Sequence, residues 1–260
     1  MFPGMMWVMT DDIALTEFDP ERAAIVAPYT GGFTDVPDRA VVCFFHEVVD
    51  AEVDAGRATW IGSFVWEDGA HDLYRVTRDG VDVAVYVSGV GAPLAGGMLE
   101  ECIAAGVGRF VVCGGAGAVV PGLALGHVVV PTSAVRDEGT SFHYVPPGRT
   151  IDADAALVAR AVELLDERDV PHLTGRTWTT DAIYRETPDK IRRRRDEGCL
   201  VVEMEASALM AIAQFRGVDL VQLLYAGDDV SGEAWDHRNW SSSSARRDLF
   251  ELSLELVTRL

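Results

Sequence analysis

The chain has 260 residues, with 22 Lys and Arg against 41 Asp and Glu, a formal net charge of −19. A surface this acidic repels phosphate backbones and anionic lipid headgroups, which weighs against nucleic-acid and membrane-surface roles. With 48% hydrophobic and 24% charged residues the composition is that of a globular chain with a core to bury, and no apolar run approaches the ~18 residues of a membrane span.

Asp11 and Asp12 precede any Lys or Arg, the wrong charge order for a secretory signal, so a cytoplasmic location is expected. Cys43, Cys102, Cys113 and Cys199 lack CxxC spacing, and Cys43 and Cys113 fall in apolar strand-like runs, as structural thiols do. Residues 1–38 carry Pro3, Gly4, Pro20, Pro28, Gly31, Gly32 and Pro37 without a sustained period. They read as an irregular N-terminal arm ahead of a domain spanning 39–260.

From residue 40 the elements sharpen. AVVCFF (40–45) is a continuous apolar run, as in a strand covered on both faces. Asp79-Gly80 separates two strand-like runs and signals a type I′ hairpin. After Gly91 a helix is predicted, with Pro93 in its first turn and Leu94, Met98, Cys102 and Ile103 at helical spacing. RFVVCGGAGAVV is a buried strand running into glycines, and GHVVVPTSAV a third strand bracketed by Gly126 and Pro131. An amphipathic helix over 153–170 is followed by a strand near LTGRTWTT and a charged helix over 188–197. CLVVEME then runs into the helix ASALMAIAQFRG, and VDLVQLLYAGDD precedes a closing helix from Ala245 to Leu260. Strands alternating with helices, and no linker or repeat, predict a single α/β domain with a central mixed β-sheet flanked by helices.

Several motifs sit at strand ends. Ser88-Gly89-Val90-Gly91 suits a simple strand-to-helix turn or an anion site at a helix N-terminus. Gly114-Gly115-Ala116-Gly117 suits tight packing or the floor of a ligand site. Glu203-Met204-Glu205 places carboxylates where an apolar strand gives way to an apolar helix, which calls for a partner or a function. Gly227-Asp228-Asp229 puts another acid pair at a strand end, where ligands gather in α/β sheets. Arg192 to Arg195, flanked by Asp189, Asp196 and Glu197, reads as a solvated helix face. The six histidines show no HxH or HExxH spacing, so no metal site is indicated, and only His46 beside Glu47 stands at a strand end.

The order SGVG, CGGAG, TTDAIY, VVEMEAS, YAGDDVSG resembles the nucleoside phosphorylase superfamily of uridine phosphorylases, hexameric purine nucleoside phosphorylases and methylthioadenosine nucleosidases, over roughly residues 40–257. The resemblance implies cleavage of the N-glycosidic bond of a small-molecule nucleoside. Glu205 with Met204 would hold the ribose hydroxyls and Glu203 would sit nearby. Asp229 would be the general acid at the base, Ile183 and Tyr184 would line the base, and Gly89, Gly91 and the turn Gly114, Gly115, Ala116, Gly117 would form the floor for phosphate or water. The family's phosphate-binding Arg falls at Val112, its Thr or Ser positions at Gly115 and Ala116, and the Arg lent by a neighbouring subunit near Gly69. Its early phosphate signature is absent around Phe44 to Glu47. Glu47 lies near the glutamate that activates water in the nucleosidases, so phosphate and water remain alternative acceptors.

The uracil-recognising Gln and Arg fall at Thr187 and Asp189, and with Asp229 present a purine is favoured. No organic cofactor or metal is implied, and inorganic phosphate is a possible co-substrate. A homo-oligomer is expected, a dimer or a trimer of dimers, to which the apolar stretch Met5, Met6, Trp7, Val8, Met9 could contribute. The competing reading is a non-catalytic nucleoside-binding or sensor protein on the same fold.

Overall fold

The computed structural model describes residues 13–238, 241 and 243–260; the apolar stretch at 5–9 lies outside them. Beyond a 3-10 turn at Ala14–Thr16, the arm reaches β1 (Arg39–Cys43), α1 (His46–Asp54), β2 (Ala58–Trp66), β3 (Gly69–Arg78), β4 (Val81–Val87) and α2 (Ala92–Ala104). There follow β5 (Arg109–Ala118), β6 (Val128–Asp137), β7 (Thr150–Asp152), α3 (Ala155–Glu167), β8 (His172–Thr180) and α4 (Pro188–Asp196). The chain closes with β9 (Cys199–Glu203), α5 (Ala206–Arg216), β10 (Asp219–Asp229) and α6 (Ser243–Arg259).

Local chemistry accounts for the element ends. Asp79 and Gly80 both have positive φ (51° and 78°), as a type I′ turn requires, and they join β3 to β4. Asp154 caps α3 through the N–H groups of Ala156 and Leu157, and Gly217 ends α5 in the left-handed region, where a β-carbon would be strained. Two expectations change. Pro131 does not bracket β6 but lies inside it, at a register shift between Pro131 and Ser133, a place where a missing N–H is tolerated. α1 and β2 were not apparent in the sequence: α1 is short, and the period of β2 is broken by a bulge between Trp60 and Gly62.

The ten-stranded mixed sheet runs β10-β6-β8-β9-β5-β1-β4-β3-β2, with β7 paired to β6 off this path and an additional β10–β5 pairing. That pairing closes β5, β10, β6, β8 and β9 into a ring, from which β1, β4, β3 and β2 extend. Alternation along the strands divides the core between the two faces. Val41 and Cys43 join a cluster with α1, α3 and α6, whereas Ala40 and Val42 join one with α2 and α5. All four cysteines are buried and free.

One topological feature positions the site. β1 pairs with β5 from Arg109 to Cys113, and β9 takes over the ladder at Gly117 and Ala118. Between them the strands fork at Gly114, Gly115 and Ala116. A crevice at the carboxyl ends of diverging strands is where α/β sheets hold ligands.

The charge of −19 on this surface makes a prediction. Self-repulsion opposes the compact state, and between ~0.01 M and ~1 M NaCl the screening length falls from about 30 to about 3 Å. Thermal unfolding followed by circular dichroism is expected to shift upward by several degrees over that range; an unchanged or falling midpoint would show that ion pairs outweigh the repulsion.

Candidate active site

Glu205 stands between β9 and α5 with its side chain 6% exposed, and its Oε1 accepts from the backbone N–H of Gly91 at 2.5 Å. Gly91 is the N-cap of α2 and has φ 99°, a conformation that suits glycine and turns the N–H toward the carboxyl. Burial, the nearby charge of Glu203 and a smaller contribution from Asp181 push the Glu205 pKa up to about 8, against the lowering effect of the Gly91 bond. A buried carboxyl with one oxygen bonded in this way keeps acceptor capacity for a ligand.

Glu203 has a different task. Its Oε1 accepts from the hydroxyls of Thr177 (3.2 Å) and Thr179 (2.6 Å), and its Oε2 from the backbone N–H groups of Glu205 (2.7 Å) and Ala206 (2.6 Å). These bonds serve the first donors of α5, which otherwise lack intrahelical partners. Four internal bonds thus occupy the oxygens of Glu203, the carboxylate expected to sit near the ribose-binding Glu205. Met204, half-buried between the two glutamates, is held by the same turn.

The glycine turn forms the floor. Gly115 is exposed between buried neighbours in β5, and a β-carbon there would stand 3.2 to 3.3 Å from the ring and hydroxyl of Tyr225. Arg246 of α6 donates from Nε to the Tyr225 hydroxyl (3.1 Å) and from Nη1 to Glu47 Oε1 (2.7 Å), and it lies over the Phe45 ring. Burial would raise the Glu47 carboxyl, but the hydrogen bond and charge of Arg246 prevail and hold it below its usual value. A buried cation thus sits beside the open part of the floor. Val112 is fully buried in β5 and carries no polar group to this face.

At the other end of the turn, a β-carbon on Gly117 would stand 3.4 Å from Asp228 Oδ1. The register of β10 against β5 slips between Ala226 and Asp229, so that Asp229 pairs with Ala118. This bulge re-aims Asp228 toward Gly117. Trp235 Nε1 donates to Asp228 Oδ2 (2.6 Å). Glu186 lies close enough for the Asp228 charge, after burial, to push its pKa up to about 7. Asp229, the expected acid, instead accepts from the Ser231 N–H (2.7 Å) and faces Arg238 at 3.7 Å. The one inserted residue of this bulge sets which face each of the two aspartates takes.

A family model described as the phosphorylase superfamily matches residues 38–258. The chain belongs to the phosphorylase superfamily. It is 28% identical over 227 residues to a guanosine phosphorylase of Halorubrum lacusprofundi, covering 83% of this chain and 94% of the relative. It is 30% identical over 179 residues to a uridine phosphorylase of Thermococcus kodakarensis, covering 60% and 64%. A solved purine nucleoside phosphorylase of Toxoplasma gondii, in complex with immucillin-H, shares the fold with a TM-score of 0.75 at 19% identity, over 86% of this chain and 92% of that one.

Within this phosphorylase-superfamily fold the remaining expected residues fall as follows. Gly89 packs against Leu94, whose side chain would stand 2.1 Å from a β-carbon at 89, so it serves the turn into α2. Gly114 faces Phe44, and Ala116 is buried. Ile183 and Tyr184 lie in the 3-10 turn Ile183–Arg185 and are 50% and 96% exposed. The loop from Asp181 to Glu186 joins the two halves, since Asp181 acts on Glu205 and Glu186 on the Asp228 side. Among the described residues no group of three or more His, Cys, Asp or Glu could hold a metal ion, and no helix is long and apolar enough to cross a membrane. No motif in the sequence marks Glu186, Tyr225, Trp235 or Arg246 as site residues. Arg246 is separated from Glu47 by 199 positions, and no local pattern joins them.

Proposed function

We propose that this chain cleaves the N-glycosidic bond of a purine nucleoside, with inorganic phosphate as the acceptor. The observation that carries the reading is the convergence of three separate groups on one forked floor: Glu205 above Gly91, Arg246 with Tyr225 beside Gly115, and Asp228 with Glu186 at Gly117. Glu205 accepts the sugar hydroxyls. A phosphate oxygen forms a bond to C1′ as the bond from C1′ to the base nitrogen breaks, and the electron pair of that bond passes to the base. The proton that lets the base leave neutral is held by the Asp228–Glu186 pair, in which burial and the Asp228 charge raise Glu186 to about 7, and it passes from that pair to the departing base. Glu186, when ionised, accepts a ring N–H, which suits a 6-oxopurine with its N1–H. The guanosine phosphorylase relative supports the same choice of base.

Phosphate is favoured over water because Arg246 supplies a buried cation for a dianion, and because a Glu47 carboxylate held low by that cation is a weak base for activating water. Base release from guanosine, followed with and without added phosphate, tests this directly. Release without phosphate would establish hydrolysis, and binding without release would establish a sensor. Arg246→Ala is expected to raise the KM for phosphate about ten-fold or more, the scale of a lost charge-assisted contact. Asp228→Asn is expected to lower kcat roughly 10- to 100-fold, less than full loss of a general acid because Glu186 remains nearby. Asp229→Asn, by contrast, is expected to leave kcat within about two-fold. The reverse ranking of the two aspartates in steady-state assays would return the acid role to Asp229.

A further inference from the structure

Trp235 is a large aromatic side chain that the fold fixes in place and leaves uncovered. Its residue is 56% exposed, yet its Nε1 donates to Asp228 Oδ2 at 2.6 Å. The segment that carries it is closed at its base by two backbone bonds between Asp229 and Asp236 (2.8 and 3.0 Å), and the Val230 N–H donates to the Ala118 carbonyl (3.0 Å). Arg195 Nη2 donates to the Ser231 carbonyl (2.8 Å), and Arg238 donates to the carbonyls of Leu123 (2.5 Å) and Asp228 (2.7 Å). The His237 ring lies against the indole, with centroids 3.7 Å apart. Single exposed apolar residues are ordinary on a protein surface, but this one is held through its polar atom and through both flanks of its loop.

The two oxygens of Asp228 face different neighbours. Oδ2 takes the indole N–H, whereas Oδ1 stands 3.4 Å from the position of a β-carbon on Gly117, over the floor. Val202 Cγ1 is 3.1 Å from that same position and bounds the floor on another side. A flat group lying over Gly117 therefore meets a carboxylate at its edge and the indole beside it. Aromatic rings stack on any base through its π face, and a two-ring purine overlaps more of an indole than a one-ring pyrimidine does.

We propose that Trp235 is a base-binding residue, its indole forming one wall of the base subsite and selecting a purine over a pyrimidine. That the stacked group belongs to a nucleoside rests on the function proposed above. Trp235→Leu and Trp235→Phe in the full-length chain test it. Both lose the indole N–H, so the difference between them reads the aromatic face. Trp235→Leu is expected to raise the KM for guanosine about ten-fold and to lower the ratio of kcat/KM for guanosine over uridine about five-fold. Trp235→Phe keeps a face and is expected to hold the guanosine KM within about three-fold of the parent. Both should keep the parental Tm, because the side chain is exposed and the loop is held by its own backbone bonds. No loss in Trp235→Leu, or equal losses for guanosine and uridine, would overturn the wall while leaving the reaction standing. Should the parent release no guanine from guanosine, the proposed function fails, and guanosine binding followed by tryptophan emission decides the wall instead. Quenching in the parent that is lost in Trp235→Phe would support it; quenching retained in that variant, or none in the parent, would overturn it.

Discussion

Glu205→Gln is expected to make the protein more stable and nearly inactive. The Glu205 carboxyl has its pKa raised from 4.5 to about 8, so the folded state binds its proton more tightly than the unfolded chain does. Its favourable contribution is complete below pH 4.5 and is lost as pH rises through about 8. At about 1.4 kcal/mol per pH unit the upper bound on that loss is roughly 5 kcal/mol; with relaxation of the site, a gain of about 1–3 kcal/mol for Gln at pH 8 is expected. Gln keeps an acceptor for the Gly91 N–H, so the local geometry survives. The neutral amide is a weaker acceptor for a diol, and kcat/KM is expected to fall about 10²- to 10³-fold. Urea unfolding at several pH values checks the first part: the parent should lose stability between pH 5 and 8 relative to the variant. A variant less stable than the parent at pH 8 would mean that Glu205 is held by contacts stronger than the Gly91 bond. In the parent, nucleoside affinity should rise toward pH 8 as the carboxylate forms.

Glu203→Ala is expected to have the opposite signature, a large loss of stability. It would leave the Thr179 hydroxyl and two helix-end N–H groups, those of Glu205 and Ala206, without their acceptor, and the Thr177 hydroxyl with only the Val201 carbonyl at 3.3 Å. Leaving such buried donors unsatisfied costs about 3–5 kcal/mol in all. In a chain of this size that lowers Tm by on the order of 10 °C, with the exact fall set by the enthalpy of unfolding. Glu203→Gln, which keeps an acceptor for the helix end, should cost about half as much. The parent carboxyl is itself raised by burial against the lowering effect of its four bonds. Differential scanning calorimetry of the two variants separates the positioning role from a substrate contact: a Glu203→Ala chain of parental Tm that has lost only nucleoside affinity would show that the side chain touches the ligand. Together these predictions divide two neighbouring glutamates. One holds the backbone, and the other is held at a cost for the sake of the site.

Much of the architecture was readable in advance because its causes are local. The apolar strands β1, β5 and β10, the Asp79-Gly80 hairpin, the Pro93 helix start and the acid pairs at strand ends all follow from residues a few positions apart. The same holds for Glu205 beside an apolar helix, where a carboxyl needs a reason to be buried. α1 and β2 escaped because nine residues of mixed period, one of them interrupted by a bulge, look alike in either conformation. Neither did the pattern of Glu203-Met204-Glu205 say which carboxyl would be consumed by the start of α5, because Thr177 and Thr179 arrive from another strand.

The sequence by itself determined an acidic α/β chain whose carboxylates and glycines collect where buried strands end, since side-chain period and turn chemistry act over a few residues. Only the tertiary structure decided what those groups face. The slip in β10 turned Asp228 rather than Asp229 toward Gly117, the fork between β1 and β9 opened the floor at Gly115, and α6 returned Arg246 to Glu47 from 199 positions away. Contacts of that kind depend on strand register and on the closure of the β5–β10 ring, and both are set by how the whole core packs.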